Sequence, residues 1–452
     1  MEKSQQQEEE KKLNAAKNIL EHLGSILDLK ISIRLWDGSM VKLGKNVDPN
    51  SFLSFNESST LTSILRWPSL ETILLQYASG NIDFHGGDIY DFFETIRSQN
   101  SKIKFRHLDK KLLIKNLLPL IFSSSKSSKV EHTYTDDESG RKQRDNKEFI
   151  QFHYDVSNEF YQLFLDEEML YSCGYFTDWN NSVEQAQLDK LEMICRKLQL
   201  KPGEKFLDIG CGWGALICYA AKNYGVKAHG VTLSQKQFDF ATAKIKRLGL
   251  EDLVTIELRD YATLEGEGIY DKISSIGMYE HVGIANYPTY FGKVKSMLRD
   301  RGIFLNHGIT RRYRNSNRKF NRIKPTRRLI LKYIFPGSEL DNIGDSTKSL
   351  ENAGFEVHDV ETWREHYMMT TKHWCKRLIK NKDEAIKLVG KEKYRMWIAY
   401  LAGSSLGFKD GSLRIYQTVA TKHQAKGSAN MPPTREHLYA KFANKVLKKV
   451  VG

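Results

Sequence analysis

The stretch EKFLDIGCGWGALICYAAKNYG (204–225) reads as a short apolar strand, a glycine turn and the opening of a helix. Asp208 closes the strand, and Gly210, Gly212 and Gly214 follow at alternate positions. Glycines at that spacing let the backbone turn sharply and come close to a ligand. A dinucleotide site favours a different pattern, GxGxxG with an acid about 20 residues further on to hold a ribose. Here the next strand, VKAHGVTLS (226–234), ends without Asp or Glu.

Working outward, the same alternation continues on both sides. VEQAQLDKLEMICRKLQL (183–200) has helical spacing and ends at the Pro202-Gly203 turn. QKQFDFATAKIKRLG follows the second strand as a helix. VTIELRDY, DKISSIGMYEHV and RGIFLNHGI predict three further strands, ending near Arg259, Gly277 and His307. Strands alternating with helices predict a mostly parallel sheet, with ligand groups gathered at the carboxyl ends of its strands.

A different grammar precedes residue 149. ISIRLWDGSMVKLG (31–44) alternates around Asp37-Gly38 and predicts a hairpin. Residues 60–76 have helical spacing that Pro68 divides, and a turn through Gly80, Gly86 and Gly87 precedes a short helix from about Ile89. HLDKKLLIKNLLPLIF (107–122) predicts a basic amphipathic helix interrupted at Pro119, which suits either domain packing or a membrane surface. The division expected is a small α+β domain over 1–122, a polar linker over 123–148 and a large α/β domain over 149–452.

The 452 residues carry 69 Lys and Arg against 55 Asp and Glu, a formal charge of +14. That excess favours anionic partners, whether nucleic acid, phosphate groups or a phospholipid surface. Ten of the basic residues fall in RRYRNSNRKFNRIKPTRRLILK (311–332), which contains no acid. The five cysteines form no CxxC pair, so neither a metal site nor a disulfide framework is expected, and a reducing, cytoplasmic setting fits. No apolar run nears the roughly 20 residues that span a bilayer, and the polar start MEKSQQQEEEKK is unlike a secretory signal.

The complete DIGCGWG in its strand–turn–helix context resembles the first motif of class I S-adenosylmethionine (SAM)-dependent methyltransferases, with their Rossmann-like sheet. Taken in order, QFHYDVSNEFYQLFLDEEMLYSCGYF (151–176), DIGCGWG, GVTLSQKQ, SIGMYEHVG, GIFLNHGI and KYIFPGSELD resemble the cyclopropane-fatty-acyl-phospholipid synthase family, which includes the mycolic acid cyclopropane synthases. The resemblance implies SAM held by Tyr154, Tyr171, Ser172, Asp208, Gly210, Gly212, Gly214, Thr232, Gln237 and Asp260. It implies a bicarbonate pocket of Cys173, Glu280, His307, Tyr367 and the backbone at Ile309. The implied reaction adds a methylene group across the cis double bond of an unsaturated phospholipid acyl chain. An alkene needs no side-chain nucleophile, but it does need a dry slot and a placed proton acceptor. The family also implies work at the inner, anionic face of a membrane and a homodimer.

Two other enzyme readings share these motifs. One is a C-methyltransferase making methyl- or methylene-branched acyl chains, and the other a small-molecule N-methyltransferase. Nucleic-acid methylation is disfavoured because MYEHVG stands where an Asn/Asp-Pro-Pro-Tyr-like motif would be expected, and no RNA-binding module is evident. Phe335-Pro336-Gly337 is expected to form an apolar lip for an acyl chain, and 395–417 to complete its pocket.

Overall fold

The computed structural model describes residues 2–98, 108–121, 156–314, 316, 320, 322, 324–424 and 426–440. The expected 123–148 linker and Tyr154 lie outside the described residues. The chain divides into two units. One comprises Met1–Thr133, Ile323–Ile330 and Leu378–Gly403, and the other Tyr134–Arg322, Leu331–Arg377 and Ser404–Gly452.

The first unit holds a four-stranded sheet in the order β2-β1-β3-β4, with β1 Ser32–Arg34, β2 Met40–Lys42, β3 Phe52–Phe55 and β4 Ile82–His85. The expected hairpin is β1–β2. Gly38 takes φ +86° there, and Asp37 accepts hydrogen bonds from the Ser39 N–H and hydroxyl at 3.0 and 2.6 Å. Pro68 separates two helices, Ser58–Arg66 and Leu70–Ala78, and the Ser69 hydroxyl caps the second by accepting from the Thr72 N–H at 3.0 Å. The short strands β3 and β4 are not anticipated by the sequence. They are too brief to show a period, and Phe52 stacking on His85 across them, 4.3 Å between centroids, is a tertiary pairing.

The helix Lys110–Ile121 corrects one expectation, because it runs through Pro119 without interruption. A proline so close to the carboxyl end removes one backbone hydrogen bond in the last turns, too little to break a helix packed along one face. That face meets the helix Glu2–Leu27, where Asn18 donates to Asn116 at 3.0 Å. The unit also takes in Arg395, whose guanidinium lies 4.0 Å from the Tyr77 ring centroid and pairs with Asp83 at 2.6 Å.

The second unit is built on a seven-stranded sheet in the order β10-β11-β9-β8-β5-β6-β7. Its strands are β5 Lys205–Ile209, β6 Lys227–Thr232, β7 Val254–Leu258, β8 Tyr270–Ile276, β9 Leu298–Arg311, β10 Phe355–Thr362 and β11 Leu413–Lys422. Strands β5 to β9 are mutually parallel, while β11 runs antiparallel between β9 and β10. Strand order reverses between β5 and β8, where open α/β sheets place their ligands beyond the strand ends. β9 continues past the expected end at His307 to Arg311, because β11 pairs with it residue for residue as far as Leu413.

Both faces of the sheet are covered. Leu191, Ile194, Cys218 and Ile245 lie in the core of one cluster, and Tyr279, Tyr287, Phe291 and Phe304 in the other. All five cysteines are buried and unbridged. Among the described residues no helix is long and apolar enough to cross a membrane.

Candidate active site

Beyond the carboxyl ends of β5, β6 and β7 lies a cavity of about 140 Å³. Its walls include Tyr171, Ser172, Asp208, Gly210, Gly212, Thr232, Gln237 and Asp260. The turn after β5 is held by the Val231 carbonyl, which accepts the N–H groups of both Gly210 and Cys211 at 3.0 Å. Gly210 has φ +76°, and a Cβ there would stand 3.0 Å from the Met278 side chain. Gly214 is placed differently from its two companions. It starts the helix Ala215–Tyr224 at φ +79°, a Cβ there would stand 2.9 Å from the Ala241 methyl, and it does not line the cavity. Its part is close helix packing.

Thr232 and Gln237 share a hydrogen bond of 2.8 Å, and the Ser234 hydroxyl caps the helix Gln235–Leu248 between them. Asp260 accepts from the Ala262 N–H at 2.9 Å, fixing the turn after β7. Asp208 is fully buried and accepts from the Ser274 hydroxyl at 2.6 Å; burial pushes its carboxyl up to about 7. Tyr171 packs against Trp374 and Tyr161, with centroids 5.2 and 5.4 Å away. The cavity also takes in Lys190, Trp213, Tyr261 and His281, none of them named as a cofactor residue from the sequence, although Trp213 and His281 lie within DIGCGWG and SIGMYEHVG. Lys190 had a usable signal: it shares the helical face of Gln187, Leu191 and Ile194, all buried.

A second cluster forms where β8 and β9 end. Glu280, in the turn after β8, is 5% exposed and accepts the Ile309 N–H at 2.6 Å. Its other oxygen, Oε2, is buried without a hydrogen-bond partner, and burial raises the carboxyl to about 7. His307 sits two residues before Ile309 and is fully buried. Its Nδ1 lies 2.9 Å from the side-chain nitrogen of Gln417, its cross-strand partner on β11. Lys197 fixes that amide's orientation by donating to the Gln417 oxygen at 2.8 Å, and is itself paired with Glu361. The Gln417 NH₂ group therefore donates to Nδ1, and the histidine proton resides on Nε2. Burial, with Lys190 and Lys197 nearby, drives His307 well below its ordinary value, so the ring is neutral. That Nε2–H is also buried and unpartnered.

The Trp363 ring meets His307 edge-on at 5.2 Å, and the Trp363 carbonyl is 3.7 Å from the Cys173 sulfur. Cys173 also faces the Gly174 carbonyl at 3.2 Å, and burial pushes its thiol far above the ordinary value. It is a weak donor rather than a nucleophile. Tyr367 lies one turn beyond Trp363, donates its N–H to the Trp363 carbonyl at 2.9 Å and packs on Phe408 at 4.6 Å. Glu280, Ile309, His307, Trp363 and Cys173 thus form one connected group, which Tyr367 joins through its backbone.

Gly210 and Gly212, both at positive φ and without side chains in the cavity wall, suit a cofactor laid against the β5 turn. An orphaned acceptor at Glu280 and an orphaned donor at His307 suit a small protonated oxyanion such as bicarbonate. The Phe335-Pro336-Gly337 turn stands beside both: Phe335 is 5.8 Å from the His281 ring, and the Glu339 N–H donates to the Glu280 carbonyl at 3.0 Å. In 395–417, Gln417 proves to be a support for His307, a part not anticipated for that segment. Within 311–332, Arg311 is engaged with the Leu340 carbonyl at 2.8 Å and the Phe320 ring at 3.6 Å. Arg312, Arg314, Arg322, Lys324 and Arg328 are exposed.

Known proteins match this arrangement. The mycolic acid cyclopropane synthetase family matches residues 141–418. A probable fatty acid methyltransferase of Pseudomonas putida is 36% identical over 417 residues, covering 91% of this chain and 97% of its own. The cyclopropane-fatty-acyl-phospholipid synthase of Escherichia coli K12 is 38% identical over 275 residues, 61% of this chain and 68% of its own. The structure of the cyclopropane synthase MmaA2 from Mycobacterium tuberculosis superposes with a TM-score of 0.58 at 29% identity, covering 64% of this chain and all of that one. With the β5 glycine turn and the seven-stranded order already in place, the chain belongs to the mycolic acid cyclopropane synthetase family of SAM-dependent methyltransferases, enzymes that transfer a one-carbon group to lipid acyl chains.

Proposed function

We propose that this enzyme adds a methylene group across the cis double bond of an unsaturated phospholipid acyl chain, giving a cyclopropane, with bicarbonate held as the proton acceptor. The observation that carries the reading is the buried pair of unpartnered atoms, Glu280 Oε2 and His307 Nε2–H, at the ends of β8 and β9. SAM, when bound, supplies an electrophilic methyl group, and a carbocation left by alkene attack must then lose a proton. Bicarbonate would be held by Glu280, His307, the Ile309 backbone, Cys173 and Tyr367, where it supplies a base. Glu280 accepts its O–H, His307 donates to an oxyanion, and the apolar surroundings of Trp363 exclude water. SAM would be held by Tyr171, Ser172, Asp208, Gly210, Gly212, Thr232, Gln237 and Asp260, with Gly214 bracing the turn from behind.

A second reading, methyl- or methylene-branched product, is favoured by the Pseudomonas putida relative that matches nearly the whole chain, a probable fatty acid methyltransferase. Incubation with SAM, bicarbonate and monounsaturated phospholipid vesicles separates them. Both a cyclopropane and a methylene branch add about 14 mass units, the transferred methyl less one proton. NMR of the ring methylene protons identifies the first, and an alkene surviving alongside the added carbon identifies the second. No SAM-dependent mass gain would sink both.

The membrane surface proposed here lies on the first unit. Trp67, Leu70 and Ile73 are 68%, 41% and 43% exposed, along one side of the break between two helices. Ile114 and Leu118 are 61% and 52% exposed on the outer side of the helix Lys110–Ile121, interleaved with exposed Lys111 and Lys115. Arg66 joins the two by donating to the Ile121 carbonyl. Apolar side chains with a tryptophan and basic neighbours fit an anionic bilayer surface at the cytoplasmic face. Trp67→Glu is expected to weaken sedimentation with phosphatidylglycerol vesicles about 30-fold, the loss of roughly 2 kcal/mol of apolar burial. Turnover of detergent-dispersed lipid should stay unchanged. Unaltered vesicle binding would remove this surface from the proposal.

A further inference from the structure

Lys190 is a buried cation without a countercharge in contact. It is 1% exposed, lines the cofactor cavity and projects from the helix Val183–Lys197 toward the β5 end. Its ammonium carries three N–H donors, yet its one hydrogen bond among the described residues is to the Ser172 hydroxyl, at 2.8 Å. Among the described residues no carboxylate makes an ion pair with it. Asp166 accepts the N–H groups of Leu170 and Glu168 at 2.9 and 3.1 Å, and Asp208 accepts from Ser274. Burying an ammonium without an ion-pair partner costs several kcal/mol, which an anionic ligand group arriving in the cavity offsets. Desolvation already lowers the lysine to about 8.

The position along the sheet selects the anion. Asp260 and Tyr261 stand at the end of β7, two strand spacings, roughly 10 Å, from β5. The charged Lys190 and Asp208 at the β5 end suit a zwitterion, while the Tyr261 ring and the Asp260 carboxylate at the β7 end suit a nucleoside's base and hydroxyls. We propose that Lys190, together with the Ser172 hydroxyl it holds, receives the α-carboxylate of S-adenosylmethionine. This rests on the SAM reading of the cavity. Asp208, on the other side of the same turn, is then the natural partner for the α-ammonium, so that the zwitterion meets opposite charges in matching order.

Calorimetric titration of the full-length protein tests the assignment with S-adenosylhomocysteine and its decarboxylated analogue, which lacks only the carboxylate. Lys190→Met is expected to weaken S-adenosylhomocysteine about 10- to 100-fold, the scale of a charge-assisted hydrogen bond, and the analogue less than about threefold. Equal weakening of both ligands, or none, overturns the proposal. Should Lys190→Met fail to fold, wild type and Ser172→Ala decide the question. Wild type should prefer the carboxylate-bearing ligand at least tenfold, and Ser172→Ala should narrow that preference. Equal affinity in wild type overturns the assignment while leaving SAM binding intact. If wild type binds neither ligand, the SAM reading itself falls, and this proposal with it.

Discussion

Glu280→Gln is expected to lower turnover about 10²- to 10⁴-fold while raising the melting temperature at pH 8. The amide can keep the 2.6 Å contact with the Ile309 N–H through its oxygen, but it presents an NH₂ group where Oε2 accepts. The stability gain follows from burial, which moves the carboxyl from 4.5 to about 7. The folded chain therefore holds this proton more tightly than the unfolded chain does. The native state is penalised increasingly as pH rises from about 4.5 through about 7, and the neutral amide escapes that penalty. The upper bound is about 3 kcal/mol, from roughly 1.4 kcal/mol per pKa unit. Thermal melts of both proteins at pH 5 and pH 8 check it, with the difference growing at the higher pH. Asp208, also raised to about 7, contributes equally to both proteins and cancels, whereas Asp341 is held up partly by the Glu280 charge, so its own penalty eases in the variant and acts in the same direction. Identical melting at pH 8 would remove the buried-carboxylate account, and unchanged turnover would remove Glu280 from the reaction.

Gln417→Glu should be nearly as damaging without touching any ligand. The new carboxylate still accepts from Lys197, which keeps its pair with Glu361, but it now accepts from the Nδ1 side of His307 as well. The ring proton moves to Nδ1 and leaves Nε2 a bare acceptor facing the anion pocket. A histidine locked in the wrong tautomer can cost about 10⁴-fold in other enzymes, and a loss of about 10²- to 10⁴-fold in kcat is expected here. Nitrogen-15 NMR of the His307 ring should show the two nitrogens exchanging character. An unchanged tautomer with unchanged turnover would show that Gln417 does not orient His307.

How legible these features were depends on how local their physics is. The β5 turn was readable because a sharp turn needs glycine wherever it occurs, and Asp208, Gly210 and Gly212, which the resemblance implied, line the cavity. Gly214 was read with them, although its spacing serves the next helix. Pro68 was readable as a break because it falls between two helices, whereas Pro119 was misjudged because a nearby helix end forgives it. Family motifs supplied Cys173, Glu280 and His307, which physical reasoning on the sequence could not have joined. The support of His307 was illegible, since Lys197 and Gln417 are 220 positions apart and neither stands out in composition. Lys190 was passed over, although its place on the buried helical face of Leu191 and Ile194 was there to be read.

The position of β11 also bears on how the protein is made. It is the last strand of the sheet in chain order, yet it is inserted between two strands already synthesised, β9 and β10. Until residues 413–422 emerge from the ribosome, β9 has an open edge on the side where His307 will meet Gln417. A nascent chain can therefore assemble the SAM-facing strands, β5 to β9, before the oxyanion pocket exists. Under the proposed function, vectorial synthesis orders the two halves of the chemistry, with the methyl-donor half shaped first and the proposed proton-removing half closed by β11.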